Sequence, residues 1–158
     1  MRLLPTLRST SENKRFDGTI DVLCSVKVQK YVDWLATVPH EEWNYLGDSA
    51  RLGWDRLFQP MTDKLLSFYP GGYMPGVGIW RLDPGQIHPS HTDIMADGWL
   101  VRIHVPLLTN KGVIFTMDDG EYHMKVGKAY RFNPTANHEV ENRGDTPRFH
   151  YVTDIWIR

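Results

Sequence analysis

The sequence predicts a mainly β protein, in which residues 75–158 form an eight-stranded jelly roll and residues 1–74 supply helices that pack outside it. Short segments with the alternation, or the β-branched and aromatic residues, of strands follow one another through the second half of the chain. Turn residues (Gly, Pro, Asn or Asp) separate them at a spacing of about ten residues, which leaves no room for crossover helices. No internal repeat or linker divides the chain, so residues 1–158 are predicted to form a single domain.

The strand-rich part begins after a segment rich in Pro and Gly at 69–76, which is typical of a turn between two structural regimes. In chain order, the eight predicted strands are VGIWRL (77–82), IHPSHTD (87–93), WLVRIHVPL (99–107), GVIFTM (112–117), EYHMK (121–125), KAYRFN (128–133), HEVEN (138–142) and RFHYVTDIWI (148–157).

Two helices are predicted before this joint. Apolar residues recur at three- and four-residue steps over residues 26–38, which indicates an amphipathic helix that ends before Pro39. A second helical pattern starts at Asp48, a possible N-cap, and continues through Phe58. Because Pro60 interrupts it, the pattern predicts either a kinked helix or two short ones.

The composition excludes several classes of protein. With 41% hydrophobic and 23% charged residues, the chain can bury a core, which excludes a disordered, collagen-like or coiled-coil protein. The formal net charge of -1 gives no global basic field for nucleic acid or an anionic membrane surface. No stretch approaches roughly 18 uninterrupted apolar residues, and the first residues lack the apolar region of a signal peptide. The single cysteine, Cys24, fits a reducing compartment, so a cytoplasmic protein without nucleic-acid or membrane partners is predicted.

Polar residues on the predicted strands point to one site inside the barrel. His91 and Asp93 are two positions apart, so along a strand they point to the same side. Arg102 and His104 likewise share one face of their strand, opposite an apolar face. His138 opens a later strand, and a barrel brings strands that are distant in sequence to the same lumen.

Two histidines and one carboxylate converging there form a facial triad, which suits Fe(II) and leaves three coordination positions open. The alternative is that the three are hydrogen-bonded polar residues on the rim of the barrel. The order of the motifs along the chain favours the metal site. An Arg102 side chain that faced the lumen without a partner would be a buried unpaired charge, which predicts an anionic ligand beside it.

The motifs together resemble those of a known family. LDPGQIHPSHTD, RIHVPLLTN, HEVEN and RFHYVTDIW follow one another in the order found in the aspartyl/asparaginyl β-hydroxylase branch of the Fe(II)/2-oxoglutarate oxygenases. The resemblance covers roughly residues 80–156, about half of the chain. Vertebrate peptidyl hydroxylases of this family have Gly in place of the carboxylate, whereas this chain has Asp93, so it looks closer to the bacterial amino-acid hydroxylases.

The resemblance implies a double-stranded β-helix of the cupin-like kind and a role for each matching residue. His91, Asp93 and His138 match the iron ligands. Arg148 matches the arginine that holds the distal carboxylate of the cosubstrate 2-oxoglutarate, and His104 matches a second cosubstrate contact. A substrate carboxylate is expected at Arg102. Trp80 and Trp99 flank the motifs, and either can line the substrate pocket.

The sequence therefore predicts a dioxygenase that uses Fe(II), 2-oxoglutarate and O2 to hydroxylate an unactivated C–H bond of a carboxylate-bearing substrate. The substrate is expected to be a small molecule or a peptide, namely a free or peptide-linked amino acid. Two alternatives stay open. One is a cupin-like metalloenzyme that does not use 2-oxoglutarate, and the other is a non-catalytic binding module.

Overall fold

Two antiparallel β-sheets form the body of the protein in the computed structural model, which describes residues 16–38, 54–94 and 96–158. The described chain contains ten strands and two helices. The first strand is followed by both helices, and the other nine strands come after them. These elements are β1 (Ile20–Ser25), α1 (Gln29–Leu35), α2 (Trp54–Leu66), β2 (Gly72–Tyr73), β3 (Val77–Leu82), β4 (Ile87–His91), β5 (Trp99–Leu108), β6 (Val113–Met117), β7 (Gly120–Tyr122), β8 (Lys128–Phe132), β9 (His138–Asn142) and β10 (Arg148–Ile157).

The strand order is that of a jelly roll. The larger sheet has six strands in the order β1-β8-β5-β10-β2, with β3 also paired to β10. The smaller sheet has four strands in the order β4-β9-β6-β7. Each of the eight predicted strands corresponds to one of β3 to β10, so the prediction of a mainly β jelly roll is confirmed.

Two further strands were not predicted. β1 pairs with β8 and extends the larger sheet, and β2 pairs with the end of β10. The register of β1 shifts between Val22 and Cys24, so its side chains do not alternate between buried and exposed positions. That irregularity removes the period of two by which a strand is recognised in a sequence.

The helices differ from the prediction in their limits. α1 is shorter than the predicted 26–38, because Val28 is its N-cap and Val26 precedes it. α2 continues through Pro60 as one helix to Leu66, so of the two predicted alternatives the pair of short helices is wrong. Pro60 lies on the exposed side of α2. The predicted cap Asp48 lies outside the described residues.

Two apolar cores lie on the two faces of the larger sheet. The first packs the helices against the outer face of the sheet, as predicted, and includes Tyr31, Phe58 and Leu65 from the helices with Val101 and Ile103 from β5. The second fills the lumen between the two sheets. Because side chains of β5 alternate, the same strand supplies the apolar outer face and, through Arg102 and His104, the polar inner one.

Within the described ranges, no helix combines the length and the hydropathy that a bilayer crossing requires.

Candidate metal centre and adjoining pocket

A cavity of about 390 Å3 opens between the two sheets, at one end of the lumen. Its volume falls within the range of small-molecule sites, roughly 300–1,000 Å3. The residues that line it come from both sheets: Trp80, Arg81, Leu82, His88, His91, Arg102, His104, Phe115, Phe132, His138, Val140 and Arg148.

Three side chains with donor atoms of the kind that binds metals, His91, Asp93 and His138, lie close together beside this cavity. His91 ends β4 and His138 begins β9, and the two residues are direct partners in the register of these strands. Asp93 follows two residues after His91, and its backbone N–H donates to the carbonyl of Pro134 at 2.8 Å. One donor atom from each of the three side chains lies within 4.8 Å of the others. The convergence of His91, Asp93 and His138 that the sequence suggested is thus present in the fold.

Backbone carbonyls fix the orientation of both imidazoles. Nδ1 of His91 lies 2.7 Å from the carbonyl oxygen of Pro89, and Nδ1 of His138 lies 2.9 Å from that of Ala136. A carbonyl only accepts hydrogen bonds, so each Nδ1 carries the proton and each Nε2 keeps its lone pair. These Nε2 atoms lie 3.8 Å and 3.9 Å from the carboxylate oxygens of Asp93. Burial lowers the pKa of His138, which favours the neutral form that binds a metal.

Arg102 is an ion-pair partner of two carboxylates, in contrast to the unpaired charge considered from the sequence. Its Nη1 donates to Oδ2 of Asp93 at 2.8 Å. Its Nε and Nη2 donate to the two carboxylate oxygens of Asp154 at 2.8 and 3.1 Å. Asp154 was missed by the sequence analysis. It lies opposite Arg102 in the register of β5 and β10. The alternation of side chains along one strand does not show which residue of another strand lies opposite it.

Arg148 begins β10 and is 3% exposed, at the inner wall of the cavity. Its Nε and Nη1 atoms are buried and have no hydrogen-bond partner within the part of the chain that the structure describes. Burial lowers its pKa to about 10. A guanidinium in this state is costly to bury alone, so an anion that accepts from its free N–H groups would stabilise it.

His104 and His150 form a buried pair next to Arg148. Their Nδ1 atoms lie 3.0 Å apart, so one ring donates its Nδ1–H to the other. Burial, with the charge of Arg148, lowers the pKa of both rings well below the ordinary value, and both are therefore neutral near pH 7. His104 lines the cavity, where its Nε2 has no partner among the described residues.

The two tryptophans have different positions. Trp80 lines the cavity and is 44% exposed, whereas Trp99 is 6% exposed and lies beyond the cavity wall, against Trp156. The rings of Trp80 and Trp99 contact the guanidinium of Arg102, at 5.4 and 4.9 Å from the ring centroids. Trp80 rather than Trp99 is thus the tryptophan that a molecule in the cavity would meet.

Comparison with known proteins gives a family and a fold. A family model described as aspartyl/asparaginyl beta-hydroxylase matches residues 37–158, which is more than half of the chain. No curated protein sequence matches at a significant level.

Solved structures with a similar fold include oxygenases. The viral collagen prolyl hydroxylase of Paramecium bursaria Chlorella virus-1, solved with 2-oxoglutarate, is similar over 90% of this chain and 97% of its own, with a TM-score of 0.64 and 12% identity. The apo form of the non-heme monooxygenase ThoJ is similar over 92% of this chain and 75% of its own, with a TM-score of 0.58 and 14% identity. At these identities the likeness shows a shared fold.

Proposed function

The chain belongs to the aspartyl/asparaginyl β-hydroxylase family, and from this premise we propose that it is an Fe(II)- and 2-oxoglutarate-dependent dioxygenase. The observation that carries the proposal is the buried guanidinium of Arg148, unpaired among the described residues, in the same cavity as His91 and His138, whose donor atoms lie within 4.8 Å of that of Asp93. A metal site alone would not need this arginine. A metal site that shares its cavity with an anionic cosubstrate would.

The residues fit an Fe(II) ion by the chemistry of their donors. Nε2 of His91, Nε2 of His138 and one oxygen of Asp93 supply two imidazoles and one carboxylate, the donor set of non-haem iron oxygenases. Both imidazoles are already held in the tautomer that leaves Nε2 free. Three protein ligands leave three positions on a six-coordinate ion for other molecules.

The residues of the inner wall fit 2-oxoglutarate. The planar fork of Arg148 matches the distal carboxylate with two charge-assisted hydrogen bonds. Nε2 of His104 provides a second polar contact, as the family resemblance implies. Phe115 and Phe132 keep this part of the cavity apolar, which strengthens each of these hydrogen bonds by excluding water.

When bound, iron and 2-oxoglutarate supply the oxidising chemistry: one atom of O2 enters the succinate formed together with CO2, and the other becomes the hydroxyl group inserted into a substrate C–H bond. The chain itself binds, orients and shields these reactants. Trp80 and the open side of the cavity receive the substrate.

The proposed substrate is a carboxylate-bearing molecule, a free or peptide-linked amino acid. Arg102 has five guanidinium N–H groups and uses three for Asp93 and Asp154, so two stay available to a substrate carboxylate. The roles of Arg102 and Trp99 in substrate binding stay predictions.

The first test needs no substrate. Metal-free protein is titrated anaerobically with Fe(II) and 2-oxoglutarate, and the visible charge-transfer band of the chelated cosubstrate is followed. We expect the band in the parent protein and its loss in His138→Ala, which removes an iron ligand. Arg148→Lys keeps the positive charge but loses the planar guanidinium that can bind a carboxylate with two hydrogen bonds. It should therefore raise the 2-oxoglutarate concentration that gives half of the maximal band intensity by about tenfold or more.

The matched control is Arg143→Lys, a change at an exposed arginine outside the cavity, which should leave the titration unchanged. Fe(II) binding without a band would favour a cupin-like metalloenzyme that does not use 2-oxoglutarate. Absence of both would favour a non-catalytic module. An unchanged half-point in Arg148→Lys would remove Arg148 from cosubstrate binding. Release of succinate would then screen amino acids and short peptides as substrates.

A further inference from the structure

Arg102 links the candidate metal centre to the neighbouring strand β10, on the same face of the larger sheet. One end of its guanidinium bonds Asp93, a candidate metal ligand, and the other end bonds Asp154 on the neighbouring strand. The side chain is 14% exposed, so little water competes with these bonds. The three residues form a chain of two charge-assisted contacts that ends at the metal centre.

The guanidinium has almost no freedom to turn. Asp154 accepts from both Nε and Nη2, a bidentate geometry that fixes the plane of the group. The rings of Trp80 and Trp99 contact the same guanidinium. An arginine that must swing to meet a substrate would have to break several of these contacts at once. The geometry therefore favours a fixed role.

The carboxylate of Asp93 gains a defined orientation from this contact. Oδ2 accepts from Nη1 of Arg102 at 2.8 Å and lies 3.9 Å from Nε2 of His138, whereas Oδ1 has no contact with the arginine and faces Nε2 of His91 at 3.8 Å. Because one oxygen is occupied by the arginine, the other is the one offered to a metal. A carboxylate that was free to rotate could bind through both oxygens and occupy a second coordination position. The hydrogen bond from Arg102 engages a lone pair of Oδ2 and hinders rotation of the carboxylate, which favours ligation through Oδ1 alone and leaves three positions open.

We propose that Arg102, held by Asp154, is a positioning residue that orients the Asp93 carboxylate for single-oxygen binding of the metal. This inference rests on the proposed function, since it requires that the centre binds a metal. It differs from the expected substrate role of Arg102 in one respect that can be measured. A substrate-binding arginine does not affect metal affinity when no substrate is present.

The test measures Mn(II) affinity of substrate-free protein, from the EPR signal of the free ion. Arg102→Met removes the contact to Asp93 and should weaken Mn(II) binding by about 10- to 100-fold, the range seen when a partner of a metal ligand is lost. Asp154→Asn should weaken it in the same direction by a smaller factor. With one partner neutralised, the guanidinium can turn both of its donors toward Asp93 and compete with the metal for Oδ1.

The chain offers a matched control pair. Arg131 on β8 donates from Nε and Nη2 to both oxygens of Asp21 on β1, and its guanidinium lies over the ring of Phe16. The pair has the same cross-strand, bidentate and aromatic geometry in the same sheet but does not line the cavity. Arg131→Met and Asp21→Asn should leave Mn(II) affinity unchanged.

Each outcome has a distinct meaning. If the parent binds Mn(II) and both site variants bind it equally well while folded by circular dichroism, the positioning role is overturned and the proposed function stands. If Arg102→Met does not fold, Asp154→Asn decides the question, because it replaces one oxygen by a nitrogen of nearly equal size. If the parent binds no Mn(II) or Fe(II), the proposed function and this inference fail together.

Discussion

His104 and His150 are two neutral imidazoles that share one hydrogen bond in a buried wall of the cavity. Arg148 adjoins them, and Arg102, His138 and His123 contribute further positive charge when protonated. Protonating either ring would bury a cation next to these groups. The folded protein therefore resists a proton that the unfolded chain accepts at the ordinary histidine pKa of 6.5.

This difference makes stability depend on pH. Because the folded pKa is below the unfolded one, the unfolded state binds more protons below pH 6.5, and the free energy of unfolding falls as the solution is acidified. His150→Asn should reduce the loss of stability between pH 7.5 and 5.5, by at most about 1.4 kcal/mol, the largest contribution that one histidine with an unfolded pKa of 6.5 can make over this interval. Urea unfolding of parent and variant at both pH values measures this difference. An unchanged loss would show that His150 takes up protons equally well in both states.

α2 is the element in which local preference and tertiary packing disagree most. Pro60 lies inside the helix, where it removes one backbone hydrogen bond and its ring crowds the preceding turn. The helix nevertheless continues, because Phe58, Met61 and Leu65 on its other side are buried in the core against the larger sheet. Burial of these side chains outweighs the local cost of the proline.

Replacement of this proline should therefore stabilise the protein. Pro60→Ala restores the missing N–H donor on an exposed face, and we expect the free energy of unfolding to rise by about 2 kcal/mol after allowance for the greater entropy of the unfolded chain. Denaturant unfolding measures the change. Gln59→Ala, the adjacent exposed position, should change stability by less than about 0.5 kcal/mol and serves as the control. A loss of stability in Pro60→Ala would mean that α2 depends on the shape that proline imposes.

Most strands of the fold, but not every contact between them, could be predicted from the sequence. The strands β3 to β10 were predictable because turn residues precede and follow each of them. The His91, Asp93 and His138 donors were predictable because the alternation of side chains along a strand and the motif pattern of the family agree. The contact between Arg102 and Asp154 was not, because the register of β5 against β10 is set by tertiary pairing and shifts at both ends of the stretch that holds this contact, between Phe149 and His150 and between Ile155 and Trp156. A shift of this kind leaves no trace in hydrophobic periodicity.

At the scale of the whole molecule, the larger sheet separates structural support from the candidate chemistry. Its outer face carries the helices and a core that includes Phe58, stacked at 4.3 Å on Tyr31 and at 5.3 Å on Tyr151. Its inner face carries the cavity, where the ring of Phe115 lies 6.0 Å from those of His104 and His138. A substitution in the outer core should therefore affect stability alone, whereas a substitution in the core of the lumen should affect both stability and the metal centre.

A pair of phenylalanine truncations tests this separation. Phe58→Ala should cost about 3–5 kcal/mol of stability, as expected for a buried phenylalanine, and leave Mn(II) affinity unchanged below the unfolding midpoint. Phe115→Ala should lower both stability and Mn(II) affinity, because its ring packs against the His138 imidazole. Thermal unfolding by circular dichroism and Mn(II) EPR give the two readings. Weaker metal binding in Phe58→Ala would show that the two faces are coupled.

The pairing of His91 with His138 across β4 and β9 has a consequence for motion. β4 is exposed along nearly its whole length, and among the described strands it is bonded only to β9. An ion bound by His91 on β4 and His138 on β9 would hold this edge strand against its neighbour. The backbone amides of β4, all but Pro89, would then exchange their hydrogens with solvent more slowly when the ion is present. The rate of amide hydrogen exchange in β4 would thus report whether the centre holds an ion, with no reaction taking place.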